Sequence, residues 1–190
     1  RLVTLRGRAM QDAAEATPSG MVALIGADEE QATELCDKAR GDDVLVPANF
    51  NAPGQVVVSG SKIACERAEA VASEMGLRAT ALPVAGAFHS PLMAPAADRL
   101  REALDTTDVR EPRCPVVSNV TARPHTNDPA SIRARLVEQL TSPVRWAESC
   151  QWIAQHAEGV AHELAPGKTL SGLMRRIDRN VKVTSHDTPD

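Results

Sequence analysis

Aromatic residues are nearly missing from this chain: among 190 residues there is no tyrosine, and Phe50, Phe88, Trp146 and Trp152 are the whole complement. Single-stranded nucleic acid is held by stacking bases on aromatic rings, so four scattered rings argue against it. An excess of positive charge is missing as well. The net charge is −4, without a long run of either sign, whereas a phosphate-binding surface normally makes a domain basic. Nucleic acid is therefore excluded as a partner. No apolar stretch approaches the roughly 20 residues that span a bilayer, and no secretory signal is visible. The chain reads as soluble and cytoplasmic, with no membrane partner. Its four cysteines, Cys36, Cys65, Cys114 and Cys150, contain no C-x-x-C, and its five histidines lack metal spacing. Free thiols and no bound metal are the reading.

Two nucleophile or phosphate motifs are also wanting. No G-x-S-x-G elbow occurs anywhere; Ser59-Gly60-Ser61 lacks the flanking glycines in register and reads as a helix cap. Gly167-Lys168-Thr169 ends like a P-loop, but position 162 is His162 where that loop needs glycine.

What is present is an alternation of short strands and amphipathic helices, with 43% hydrophobic residues supplying a core of Val, Leu, Ile, Ala and Met. Arg1 to Gln11 read as helix from the first position, without a cap, which suggests a fragment or a trimmed chain. Met21–Ile25 reads as a strand. Asp28, Glu29 and Glu30 open a helix with Ala32, Leu35, Cys36 and Ala39 on one face and Gly41 at its end. Val44–Pro47 and Gln55–Ser59 read as strands about an Ala52-Pro53-Gly54 turn. A helix from Ser61 to Met75 and a strand from Ala79 to Val84 complete a β-α-β-β-α-β block, the ferredoxin-like order. The remainder predicts helices marked by Met93, Ala97, Leu100 and Leu104, by Ile132, Leu136 and Leu140, by Trp146, Cys150 and Ile153, and by Leu170, Leu173, Met174 and Ile177. Pro115–Val120 reads as a buried strand and Gly159–Leu164 as another. Such alternation favours an α/β layer with a largely parallel sheet. The block at 18–84 is then an insert in a domain made of 1–17 and 85–190.

Residues 83–93, Pro-Val-Ala-Gly-Ala-Phe-His-Ser-Pro-Leu-Met, concentrate the chemistry. Ser90 is a favoured N-cap and Pro91 a favoured first helical residue, which places His89 beside a helix N-terminus. The partial positive charge there disfavours imidazolium and keeps the ring ready to accept a proton. The same pattern fits a loop histidine that caps a backbone group. Arg6, within Arg6-Gly7-Arg8-Ala9-Met10-Gln11, lies at the boundary of a helix face. A guanidinium fork suits a carboxylate, though from pattern alone a solvated helix arginine is the plainer reading.

Taken together, several collinear segments resemble the malonyl-CoA:acyl-carrier-protein transacylases. They are Leu-Arg-Gly-Arg-Ala-Met-Gln at the start, Ala-Asn-Phe-Asn-Ala-Pro-Gly-Gln-Val-Val-Val-Ser-Gly at 48–60 and Ala-Phe-His-Ser-Pro-Leu-Met at 87–93. Pro-Val-Val-Ser-Asn-Val at 115–120, Gln-Leu-Thr-Ser-Pro-Val-Arg-Trp at 139–146 and Pro166 to Leu173 continue the series. The resemblance implies an α/β-hydrolase-like domain, incomplete at its start, with a ferredoxin-like insert. It implies transfer of malonyl from coenzyme A to the phosphopantetheine thiol of acyl carrier protein, through an acyl-serine. Both are substrates or partners, and no cofactor is implied. By the same resemblance His89 is the general base, Gln139 orients it through a carbonyl, Arg6 pairs with the free malonate carboxylate and Asn51 faces the cleft from the insert. Phe88 resembles the malonyl-selective form of its motif.

Ala165 departs from the glycine usual before Pro-Gly. The serine elbow and the glutamine-rich oxyanion motif are absent too; family spacing would put them just upstream of Arg1, so the isolated chain is expected to be inactive. A domain cut from a polyketide synthase and a non-catalytic carrier-protein binding module remain alternatives. The tail from Arg179 to Asp190 resembles a free terminus more than an inter-module linker. Arg175, Arg176, Arg179 and Lys182 are candidates for docking the acidic carrier protein, although a solvated helix face explains them too.

Overall fold

A computed structural model describes residues 1–164 and 166–187. The first helix, α1 (Leu2–Ala16), continues five residues past Gln11. Its extension, Asp-Ala-Ala-Glu-Ala, is composed largely of good helix formers, and Gln11 Nε2 donates to Glu15 Oε1 one turn on at 2.7 Å.

The next six elements form a sheet with two helices on one face. They are β1 (Ser19–Ile25), α2 (Glu29–Ala39), β2 (Leu45–Ala52), β3 (Gln55–Ser61), α3 (Lys62–Glu74) and β4 (Arg78–Ala81). The strand order is β2-β3-β1-β4, antiparallel throughout. Period-two alternation sends Val22, Leu24, Val56 and Val58 towards Leu35 and Cys36 of α2 and Ala64 and Ala68 of α3. Met21, Ala23 and Val57 face the other way and gather Ala48, Leu82 and Phe88. Phe88 thus seats the loop that carries His89 on the bare face of this sheet.

Local chemistry explains the boundaries. Asp28 and Gln31 form a reciprocal capping box: Gln31 N donates to Asp28 Oδ1 at 2.8 Å and Asp28 N to Gln31 Oε1 at 3.1 Å. Ser61 caps α3 by accepting from Ala64 N at 3.2 Å. Gly54 closes the β2–β3 turn at φ +69°, a conformation glycine adopts without steric penalty. Strand β4 is shorter than the predicted Ala79–Val84: Leu82 N still reaches Met21 O at 2.9 Å, but Val84 N turns back to Leu82 O at 2.8 Å.

The second half contains a single 3₁₀ turn (Pro91–Met93) running into α4 (Ala94–Asp105), then α5 (Pro129–Glu138), α6 (Trp146–His156), β5 (Ala161–Glu163), α7 (Thr169–Ile177) and β6 (Val183–Ser185). Helices α1, α4 and α5 share a core of Ala9, Ala13, Met93, Ala97, Leu100, Val137 and Leu140. The small residues of α1 let it approach α4 closely.

Two expectations fail here. Pro115–Val120 is not a strand but part of a tight loop, with one antiparallel bridge between Val117 and Pro124 and with Val116 47% exposed. Its backbone is met only by the chain folding straight back on it, with His125 N donating to Val116 O and Ser118 N to Arg123 O, each at 2.9 Å, a pairing too short for a strand. Among the described residues the largely parallel sheet is likewise reduced to β5 and β6, paired in parallel over three residues. Strand β6 itself lies in the tail that reads from sequence as a free terminus.

The two halves meet along β2. Phe50 N donates to Val144 O at 2.9 Å and Val144 N to Ala48 O at 2.8 Å, forming an isolated parallel bridge. Arg176 of α7 donates to Gln55 Oε1 at 2.9 Å and to Pro53 O at 3.0 Å. That side chain ties α7 to the β2–β3 turn, so its charge is committed to a structural contact.

Candidate active site

His89 lies on the loop between β4 and the 3₁₀ turn, in the left-handed backbone region at φ +58°. A non-glycine residue there is uncommon, although histidine is among those enriched, and such outliers gather at functional sites. Ser90 fixes the loop from the C-terminal side. Fully buried, it donates to Ala87 O at 2.6 Å and accepts from Leu92 N at 3.3 Å. On the other side Gly86 packs so closely on α1 that a Cβ there would meet Ala14 Cβ at 2.5 Å. The loop is thereby pinned to the helix that carries Arg6.

The ring of His89 is oriented by Gln139, whose carbonyl oxygen lies 2.9 Å from Nδ1. A carbonyl only accepts, so Nδ1 carries the proton and Nε2 presents a lone pair in the neutral ring. Gln139 is the C-cap of α5, so its oxygen is one of the carbonyls a helix end leaves without an intrahelical partner. His89 therefore sees a helix C-terminus through Nδ1. The predicted N-terminal effect is not the reason for its neutrality: only a single 3₁₀ turn follows Ser90 before α4. Burial lowers its pKa below the ordinary 6.5, and the positive charge of Arg6 pushes the same way. The backbone groups of Gln139 and Ser142 oppose them without prevailing.

Arg6 is half-buried on α1, and burial lowers its pKa, though a guanidinium stays charged at neutral pH. Its side chain forms no ion pair and no hydrogen bond among the described residues. A partly desolvated, unpaired guanidinium within electrostatic reach of His89 is suited to an anion. Asn51 stands in β2 within the register shift between Phe50 and Ala52, a bulge that turns one residue out of the ladder. The structure does not join Asn51 to His89, Gln139 or Arg6 by any hydrogen bond among the described residues. A cavity of about 680 Å³ between α4 and α5, bordered by Ala97, Arg101, Leu104, Arg133 and Val137, includes none of these four residues.

Within the described residues the buried thiols are poor nucleophiles. Cys36 and Cys150 are buried, with thiols pushed up to about 12 and about 11, and Cys65 is raised too, in each case chiefly by burial. Cys114 is exposed. Ser59 is completely buried in β3, with a hydroxyl that has no partner. Ala165 lies outside the described residues.

The pattern that defines the acyl transferase domain matches residues 1–185. The chain belongs to the acyl transferase domain family. Within that family it is 43% identical over 192 residues to the malonyl CoA-acyl carrier protein transacylase of Salmonella typhimurium, covering 100% of this chain and 61% of the relative. The corresponding protein of Bacillus subtilis is 42% identical, covering 99% of this chain and 60% of its own length. Among solved structures, the malonyl CoA-acyl carrier protein transacylase of Coxiella burnetii superposes with a TM-score of 0.93 at 37% identity, covering 98% of this chain and 59% of that one. A complex of a type II PKS acyl-carrier protein with its malonyl-transacylase matches at 0.94 and 37%, covering 100% and 61%. This acyl transferase chain thus spans about 60% of the length of the relatives it matches. No helix among its described residues is long and apolar enough to cross a membrane.

Sequence reasoning singled out neither Asn119 nor Arg145 as a residue of this site. Asn119 accepts at Oδ1 from Gln139 Nε2 at 2.7 Å, and Arg145 N donates to Asn119 O at 2.9 Å. Both lie inside family-like motifs, but neither periodicity nor spacing links a loop asparagine to a helix cap twenty residues later.

Proposed function

We propose that this chain supplies the general base and the carboxylate-binding arginine of a malonyl-CoA:acyl-carrier-protein transacylase. The observation that carries the reading is His89, neutral and held by Nδ1 on the Gln139 carbonyl, within the field of an unpaired Arg6. His89 Nε2 takes the proton of a serine hydroxyl as that oxygen attacks the thioester carbonyl. It returns the proton to the departing coenzyme A sulfur and repeats the exchange with the phosphopantetheine thiol. The Gln139 carbonyl keeps the tautomer and, at a helix C-terminus, favours the imidazolium that forms transiently. Arg6 holds the free carboxylate of malonate, which acetyl lacks. Asn51 faces the same cleft from the bulge in β2.

In architecture the reading is an α/β-hydrolase-like domain from 1–17 and 85–190 with a ferredoxin-like insert at 18–84. The β2-β3-β1-β4 order and the separate core of that block support the insert. No elbow serine occurs in the 190 residues, so the nucleophile lies outside them and the chain alone forms no acyl-enzyme. An acidic acyl carrier protein is the partner, approached in the cytoplasm, and no cofactor is used.

The test joins these residues to a segment carrying the elbow serine and replaces Arg6 by Ala. The expected outcome is a malonyl-CoA kcat/KM at least ~100-fold lower, with acetyl-CoA turnover little changed. Equal losses for both thioesters would remove the carboxylate role. For the isolated chain, intact mass after incubation with malonyl-CoA should show no adduct; a stoichiometric one would place a nucleophile within these residues.

A further inference from the structure

Gln139 orients His89 through a backbone carbonyl at the frayable end of a helix, and such an end needs its own restraint to hold an aim. The side chain of Gln139 supplies one, donating through Nε2 to Asn119 Oδ1 at 2.7 Å. Asn119 is itself firmly placed. It sits in a loop closed by Ser118 N donating to Arg123 O and Ala122 N to Ser118 O, both at 2.9 Å, with Ala122 in the left-handed region at φ +52°. Its carbonyl accepts from Arg145 N at 2.9 Å. Arg145 is anchored in turn: its Nε donates to Glu148 at 2.9 Å, and its guanidinium lies 5.6 Å from the centre of the Phe50 ring on β2.

We infer that Asn119 is a positioning residue for the base, holding the last turn of α5 through the Gln139 side chain so that the Gln139 carbonyl stays on His89 Nδ1. The inference rests on the reading of His89 as the general base, and it adds a residue that acts only through another. The chain of contacts runs from the imidazole to the loop at 118–123 and on through Arg145 to the insert. It gives the insert a route to the ring that does not pass through substrate.

The discriminating property is the tautomer of His89, because loss of fold stability alone does not select one ring nitrogen. Ring ¹⁵N resonances of the 190-residue chain, recorded above the titration of His89, should report the Nδ1–H form. Asn119→Ala and Gln139→Ala each remove the tether and leave the Gln139 carbonyl in place. Both should shift the ring to a mixture of tautomers, and the double variant should go no further than either single one. Asn119→Asp keeps an acceptor for Gln139 Nε2 and should retain the Nδ1–H form. An unchanged Nδ1–H signature in Asn119→Ala, or single effects that add in the double variant, would overturn the inference. Should His89→Gln leave malonyl transfer intact in a protein carrying the elbow serine, the base reading fails while the tautomer result stands. The two failures are therefore separable.

Discussion

The Nδ1 of His89 meets the carbonyl oxygen of Gln139 at 2.9 Å, across fifty residues of sequence. This contact sets which ring nitrogen carries the proton in the neutral form, and its surroundings set the pH at which the ring becomes neutral. Burial and Arg6 lower the pKa below 6.5, so the unfolded chain binds this proton more readily than the folded one. Stability is therefore present above about pH 6.5 and falls as pH drops from there towards the lower, folded value. His125 is shifted in the same direction, chiefly by burial and then by Arg135, and contributes to the same window. Urea unfolding at a series of pH values should show His89→Gln with a shallower slope below pH 6.5 than the parent. The parallel series with His125→Gln separates the two contributions. An identical slope in His89→Gln and parent would contradict the assignment.

Glu163 works in a different window. The carboxylate is buried between β5, β6 and α7 and accepts from Leu170 N at 2.7 Å, Ser171 N at 3.0 Å and Ser185 Oγ at 2.9 Å. Burial would raise its pKa, but these donors outweigh it and hold the carboxyl below the ordinary 4.5. Its contribution is complete above pH 4.5 and is lost as pH falls below that towards the folded value. Glu163→Gln should lower the denaturation midpoint at neutral pH and flatten the curve below pH 4.5. A midpoint equal to the parent's at pH 7 would mean that the carboxylate is not what joins these elements.

Arg67 fastens the two helices of the inserted block. Its Nε donates to Ala39 O at 2.6 Å and its Nη2 to Asp43 Oδ2 at 2.7 Å and to Arg40 O, completing the C-terminus of α2 from α3. With the side chain 40% exposed, Arg67→Ala should cost about 1–2 kcal/mol, less than the sum of three separate bonds. Arg67→Lys should recover little, because one ammonium cannot reproduce the fork. Chemical denaturation of the three proteins decides it.

Gly86 lies where the loop of His89 crosses α1. A methyl group would meet Ala14 Cα at 3.0 Å and Cβ at 2.5 Å, both on a helix that cannot yield. Gly86→Ala should destabilise by about 1–3 kcal/mol. It should also depress malonyl transfer when the elbow serine is present, since the shift moves His89 relative to Arg6. Wild-type kinetics in that variant would show that the loop relaxes elsewhere.

Thiol chemistry offers a direct check on packing. Cys114 is exposed while Cys36, Cys65 and Cys150 are buried with raised pKa values. Brief alkylation of the native chain should add one label, at Cys114, by peptide mass mapping. Equal labelling at Cys150 would contradict the packing of α6.

The local code was readable because it depends on neighbours in sequence. The capping pair Asp28 and Gln31, the Gly54 turn and the alternation of Val56, Val57 and Val58 each report a few adjacent dihedrals and one buried face, so pattern alone located the β-α-β-β-α-β block. Around His89 and Arg6 the sequence offered residue types suited to proton transfer and carboxylate pairing, which pattern alone did not separate from a capping histidine and a solvated arginine. What pattern could not supply was anything that depends on a distant partner. Pro115–Val120 has the apolar content of a strand, but a strand needs a run of backbone partners, and here a tight turn back to Arg123 and His125 supplies only a single bridge. No pattern marks Val183–Ser185 as a strand, yet β6 pairs with β5, and Ser185 Oγ donates to Glu163 beneath it. The neutrality of His89 arises from burial and Arg6, against the opposing pull of a helix C-terminus fifty residues on, and not from the Ser90-Pro91 cap beside it. Sequence by itself determined which groups are available to the site; the fold decided which of them face one another, since desolvation and hydrogen-bond direction exist only once the chain is packed.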